Sequence, residues 1–114
     1  MTLSSVFDEY SRSFHLFSKS HVQMLLSPEK SCSAKHVMMI PSAPRNRNMR
    51  DRVRKQLGQK VFLLFLLGRT GSEEGDKVLE EESEQEKDIL QGDFQDSYRI
   101  LPYKVVMGYI WVNR

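Results

Sequence analysis

Val61-Phe62-Leu63-Leu64-Phe65-Leu66-Leu67 is seven apolar residues in a row, with Lys60 before it and Gly68-Arg69-Thr70-Gly71 after it. A strand with one wet face alternates apolar and polar residues. An unbroken apolar run of this length, closed by glycine, is the pattern of a parallel strand covered on both faces. The run therefore predicts a central strand over 61–67, with helices above and below it. It is too short to cross a bilayer, which takes about 20 residues.

The neighbouring segments supply those helices. Upstream, His36-Val37-Met38-Met39-Ile40 reads as a short buried strand. Pro41 and Pro44 then force a loop, since proline fixes φ and has no N–H to donate. A helix is expected over 48–57, capped by Asn48 and ended by Gly58. Downstream, 71–76 is a loop and 76–87 an acidic helix. In that helix Val78, Leu79 and Glu82 follow at helical steps and most of the charge forms a solvated face. A short strand over 88–90 ends in a Gly92-Asp93 turn. The last helix, 97–112, carries a stripe of Leu101, Val105, Gly108 and Val112 with Trp111 beside it. Pro102 is tolerated in its first turn. Before all of this, 5–26 has apolar residues near helical spacing: Val6, Tyr10, Phe14, Phe17, Val22 and Leu25. The expected order is a helix followed by β-α-β-α-β-α, an α/β domain with a mainly parallel sheet. Ligands of such sheets sit beyond the carboxyl ends of the strands. That singles out the loops 41–47, 68–75 and 92–97.

The 114-residue chain has a formal charge of +2, which hides an asymmetry. Residues 1–60 hold 11 Lys/Arg against 4 Asp/Glu, and the remaining 54 hold 6 against 11. A basic half suggests an anion as ligand. A small nucleic-acid-binding module using Arg45 to Lys55 is the disfavoured reading, because no aromatics interleave that basic run to stack bases, and the acidic half repels a phosphate backbone. Cys32 is the sole cysteine, so no internal disulfide forms. His15, His21 and His36 lack ligand spacing for zinc. Asp8, Glu9 and Arg12 break up the N-terminus before any signal-like apolar stretch.

Two groups of residues carry candidate chemistry. Arg50 and Arg54, four apart, share one helix face close to a helix N-terminus, where anions are favoured. They belong either to an anion site or to a solvated basic helix. Asp93-Phe94-Gln95-Asp96-Ser97-Tyr98 puts two carboxylates where a strand ends. They could serve a ribose, a base or a metal; the plainer reading is that Asp96 or Ser97 caps the last helix. There is no Gly-rich phosphate loop.

Several of these stretches recur together in one family. Phe65-Leu66-Leu67-Gly68, Leu79-Glu80-Glu81-Glu82-Ser83, the run from Asp88-Ile89-Leu90 through Asp93-Phe94-Gln95-Asp96-Ser97-Tyr98, Lys104, and Trp111-Val112 resemble the β-1,3-galactosyltransferases. The family pattern is F-L-L-G, L-x-x-E, D-I-(I/L)-x-x-D-F-x-D-x-Y-x-N-L-T-x-K and W-V, and it fits from Leu79 through Tyr98 without a gap. Arg50-Asp51-Arg52-Val53-Arg54 resembles the family's R-x-x-I-R helix. The resemblance spans 35–114; 1–34 would be a stem-like or junction segment.

The resemblance implies a GT-A-like nucleotide-binding half-domain of a hexosyltransferase. Such enzymes move galactose or N-acetylglucosamine from a UDP-sugar to a glycan acceptor in β-1,3 linkage. It implies Mn²⁺ on an Asp-x-Asp motif, a carboxylate base, and a Golgi membrane enzyme working on the lumenal side. It places Ser42, Arg50 and Arg54 near the uridine or diphosphate, with Asp93, Asp96 and Lys104 supporting the donor pocket. The departures are Gln56-Leu57-Gly58 for T-W-G, Glu86-Lys87 for Tyr-Gly, and Ile100-Leu101-Pro102 for N-L-T. No Asp-x-Asp occurs up to Arg114. No catalytic residue, metal ligand or membrane anchor is therefore assigned to these residues, and the fragment is expected to be inactive. The other reading is a non-catalytic relative that binds UDP or a partner. A half-domain would also expose a sheet edge, with 61–67 as an aggregation risk.

Overall fold

The computed structural model describes residues 23–28 and 36–113. Among these residues four strands form one sheet: β1 (Met24–Leu26), β2 (Val37–Pro41), β3 (Phe62–Arg69) and β4 (Ile89–Gln95). Three helices accompany it among the described residues: α1 (Arg47–Leu57), α2 (Glu73–Glu86) and α3 (Leu101–Val112), the last entered through a 3-10 turn at Tyr98–Ile100. The strand order is β1-β4-β3-β2. β2, β3 and β4 are parallel and β1 is antiparallel to β4, so the sheet is mixed.

The apolar run forms the central strand expected of it, but that strand runs on to Arg69 and takes in Gly68, which was expected to close it. β3 is interior to the sheet, paired on both edges, and Leu64, Phe65, Leu66 and Leu67 are fully buried. Its side chains alternate between two cores. Leu64 and Leu66 meet Val106, Met107 and Trp111 of α3 on one face. Leu63, Phe65 and Leu67 meet Leu79 of α2, with Val53 and Leu57 of α1, on the other. The result is helix, sheet, helix in three layers. Among the described residues the sheet edges lie at β1 and β2, so 61–67 belongs to an interior strand and is not itself an edge.

Several expectations are corrected. Leu25, read as the end of an N-terminal helix, lies in strand β1. A short segment takes the state its neighbour's unpaired backbone groups demand, and Asp93 N bonds Gln23 O at 2.8 Å. Residues 5–22 of that expected helix, like His15, His21 and Cys32, fall outside the described residues. The strand expected to stop at Leu90 runs on to Gln95, and Gly92-Asp93 lies inside it instead of forming a turn. The pairing jumps there: Leu67 faces Gln91, but Arg69 faces Gln95, so β4 carries extra residues as a bulge.

The helix boundaries also move. Asn48 is inside α1, and Asn46 holds the cap position without a side-chain bond. α2 starts at Glu73 because Ser72 Oγ accepts from Gly75 N at 3.0 Å. α3 buries Lys104, Val106, Met107, Gly108 and Trp111; of the expected stripe Gly108 and the neighbouring Trp111 are buried, Val105 and Val112 are half-buried, and Leu101 is exposed. Gly108 lets α3 approach the sheet, since a Cβ there would lie 2.7 Å from Met39 Sδ and 2.9 Å from Leu66 Cδ2. Trp111 stacks on Phe62 with centroids 6.0 Å apart.

Candidate functional site

Beyond the carboxyl ends of β2, β3 and β4 lies a cleft of about 810 Å³. The three loops singled out from the sequence contribute Ser42 to Arg45, Arg69-Thr70 and Asp96-Ser97 to its wall. Val78, Leu79 and Leu101 add an apolar side. Of the six expected site residues, Ser42, Arg50, Asp96 and Lys104 line this cleft, while Arg54 and Asp93 do not.

Arg50 is completely buried, and its N–H groups are all used. Nε and Nη2 clasp the two oxygens of Glu82 at 2.7 Å each. Nη1 donates to Ser42 Oγ at 3.0 Å and to the Ala43 carbonyl at 2.8 Å. Nη2 donates to the Pro44 carbonyl at 3.0 Å. A guanidinium has five donors, and these contacts consume five. Arg50 therefore does not offer an N–H to a phosphate; it holds the 42–44 loop in shape from behind. A basic helix face has become a loop anchor because an acidic partner reaches it from α2.

Arg54 sits deeper behind the cleft. Its Nε and Nη2 grip Asp88 at 2.7 and 2.8 Å, Nη2 also reaches Glu82 at 2.7 Å, and Nη1 bonds Asp51 at 2.8 Å. Its guanidinium lies 5.0 Å from the centre of the Phe65 ring. Burial alone would lower the Arg54 pKa, but the hydrogen bonds to Asp88 and Glu82 outweigh it and hold the group protonated at every accessible pH. Burial likewise disfavours ionised Glu82, yet the bonds from Arg50 and Arg54 hold its carboxyl below the usual 4.5. Glu82 and Asp88 were not singled out from the sequence as site residues. The available signal was Glu82 three residues after buried Leu79, on the inward side of a helix most of whose charges face water.

A second network ties the three loops together. Asp96 Oδ2 accepts from Gly68 N at 2.7 Å, and Oδ1 meets Lys104 Nζ at 2.8 Å. Lys104 Nζ also donates to the Ser42 carbonyl at 3.2 Å. Asp96 thus does not cap α3; it bridges the ends of β3 and β4 to a helix on the opposite layer. Gly68 is required at this junction. A Cβ there would stand 2.7 Å from Phe94 O and 2.9 Å from Asp96 N, both backbone atoms with no room to yield. Gly68→Ala is expected to cost about 1–3 kcal/mol. Urea denaturation checks this, and a variant as stable as the parent would refute the junction.

Asp93 stands outside the cleft and pairs with Arg69, Nε to Oδ1 at 2.6 Å, on the surface. Among the described residues no group of three or more His, Cys, Asp or Glu side chains is arranged to hold a metal ion. In the cleft wall, Glu82 and Asp96 are already bound to cations. The described residues therefore do not make a Mn²⁺ site. What they make is a cleft with a basic rim, an apolar side, and a backbone loop fixed from two directions.

Comparison with known proteins bears on what enters it. The family model described as galactosyltransferase matches residues 45–114. Beta-1,3-galactosyltransferase 5 of Mus musculus is 36% identical over 107 residues, covering 85% of this chain and 35% of that protein. Beta-1,3-galactosyltransferase 4 of Mus musculus is 33% identical over 104 residues, covering 81% and 28%. Lactosylceramide 1,3-N-acetyl-beta-D-glucosaminyltransferase of Mus musculus is 31% identical over 115 residues, covering 87% and 31%. The chain spans about a third of the length of these curated relatives.

Proposed function

Because this chain belongs to the galactosyltransferase family, we propose that it forms the donor-nucleotide half of a GT-A-like hexosyltransferase. In this reading the whole enzyme transfers galactose or N-acetylglucosamine from a UDP-sugar to a glycan acceptor in β-1,3 linkage. The observation that carries the reading is the cleft itself: three parallel strand ends, a rim of arginines and an apolar flank, which suits a ligand with an anionic and a flat apolar part.

In this proposal the chain's residues bind and position. Ser42 is clamped by Arg50 at its hydroxyl and by Lys104 at its carbonyl, and the loop it begins forms one wall for the nucleotide. Asp96 and Lys104 fix the opposite wall. Arg50 and Arg54 support the site from behind through Glu82 and Asp88. No catalytic base and no metal ligand is assigned to these residues, and no chemical step is derived through them. Work at the lumenal side of the Golgi membrane belongs to the same proposal; among the described residues no helix is long and apolar enough to cross a membrane.

Titration of the chain with UDP, and with ADP as comparison, tests the reading. Saturable binding of UDP, weaker for ADP, is the expected outcome. Equal affinity for both, or none for UDP, would overturn it.

A further inference from the structure

Several cations line the cleft, and their hydrogen bonds decide which of them a ligand can use. Arg50 has no donor left. Lys104 stands between Asp96 and the Ser42 carbonyl. Arg47 gives Nη2 to Gln85 at 3.3 Å, and its Nε lies 3.7 Å from Asp51. The N-terminus of α2 is no alternative seat for an anion. Its first turn carries Glu73, Glu74 and Asp76, and Ser72 already caps it. Arg45 is exposed on its loop, with nothing among the described residues to set its direction.

Arg69 differs from all of these. It is the last residue of the central strand, and its carbonyl is held by Asp96 N at 3.0 Å and Gln95 Nε2 at 3.3 Å. Its base is thus fixed on the sheet, at the cleft wall. Its Nε is taken by Asp93, while among the described residues no acceptor bonds Nη1 or Nη2. A carboxylate on Nε restrains the plane of the guanidinium and leaves the outer N–H groups for another anion. The side chain is 46% exposed, so an incoming group can reach it. The bulge in β4 sets the spacing. It advances the pairing so that Gln95 faces Arg69, and Asp93 approaches diagonally.

We propose that Arg69 receives the phosphate oxygens of a nucleotide bound in the cleft through Nη1 and Nη2, with Asp93 as the positioning residue that orients it. This rests on the nucleotide reading above. Planar two-point donation to phosphate is what distinguishes arginine from lysine here. The role of Asp93 has a sign that simple charge does not share. If Asp93 only neutralised Arg69, removing its charge would tighten binding of an anion. If it orients Arg69, removing it weakens binding.

The test is an NMR chemical-shift titration, which reads millimolar affinities, of the 114-residue chain with UDP and with uridine, which lacks the phosphates. Arg69→Gln is expected to weaken UDP roughly tenfold or more and to leave uridine unchanged. Asp93→Asn is expected to weaken UDP about threefold, again sparing uridine. An Arg69→Gln affinity for UDP within about twofold of the parent would overturn the proposal. So would an equal loss for UDP and uridine, which would mean damage to the cleft. Tighter UDP binding by Asp93→Asn would overturn the positioning role. A parent chain that binds neither compound would bring down the nucleotide reading itself, and this inference with it.

Discussion

Replacing Glu82 with alanine is expected to cost about 3–5 kcal/mol of folding stability. Glu82 is 1% exposed and accepts from Arg50 through both oxygens and from Arg54 through one. Removing it leaves Arg50, itself without solvent contact, as a buried charge with only neutral acceptors. The loss is large against a typical domain stability of about 5–15 kcal/mol. Glu84→Ala, on the exposed side of the same helix, should change stability by no more than about 0.5 kcal/mol. Urea denaturation of the two variants side by side is the measurement. A Glu82→Ala shift of about 1 kcal/mol or less would mean the network contributes little beyond a surface ion pair.

Acid should reproduce part of this effect without a mutation. The folded-state pKa of Glu82 lies below its ordinary 4.5. A depressed carboxylate contributes stability that is present above the unfolded value and is lost as pH falls through the folded one. The contribution should therefore be intact at neutral pH and fade below pH 4.5. In Glu82→Ala that part of the acid slope should be missing. The Arg54 shift acts at the alkaline extreme and leaves this window untouched.

Phe65→Ala is the second large effect, expected at about 3–5 kcal/mol. The ring is fully buried at the centre of the sheet and packs in the core that includes Leu79 and Ile89. It also carries the Arg54 guanidinium over its face. Alanine leaves a cavity between two layers that the parallel pairing on both sides prevents from closing. Phe65→Leu keeps most of the apolar contact but loses the aromatic face, so it should fall well short of the alanine loss. The comparison separates cavity from cation–π contact, which is worth about 0.5–2 kcal/mol. Equal losses for leucine and alanine would place the whole effect on the ring's interaction with Arg54 and refute the cavity account.

The residues that carried the resemblance turn out to have distinct roles. Asp96 and Lys104, eight apart and on different elements, meet at 2.8 Å and join three loops. Arg50 and Arg54 share the same carboxylate, but only Arg50 touches the cleft wall. Asp93, in the same short motif as Asp96, faces another way, because the bulged strand turns it toward Arg69 on the surface. Spacing along the chain brought these residues under one heading; packing divided them into wall, support and rim.

Local sequence was enough for whatever depends on one element's own periodicity. Seven apolar residues closed by glycine require cover on both faces, so Val61-Phe62-Leu63-Leu64-Phe65-Leu66-Leu67 announced a central strand, and the alternation around it announced the layers and the end at which ligands enter. It was not enough wherever a partner far along the chain decides the outcome. Leu25, at helical spacing, became a strand because β4 had a free edge. Glu82, among many glutamates, became buried because two arginines lie opposite it, 32 residues upstream in the case of Arg50. Arg50, on a basic helix, became a loop anchor for the same reason. A charge enters the interior only when its counter-charge and hydrogen bonds are already there, and only the tertiary structure brings them together.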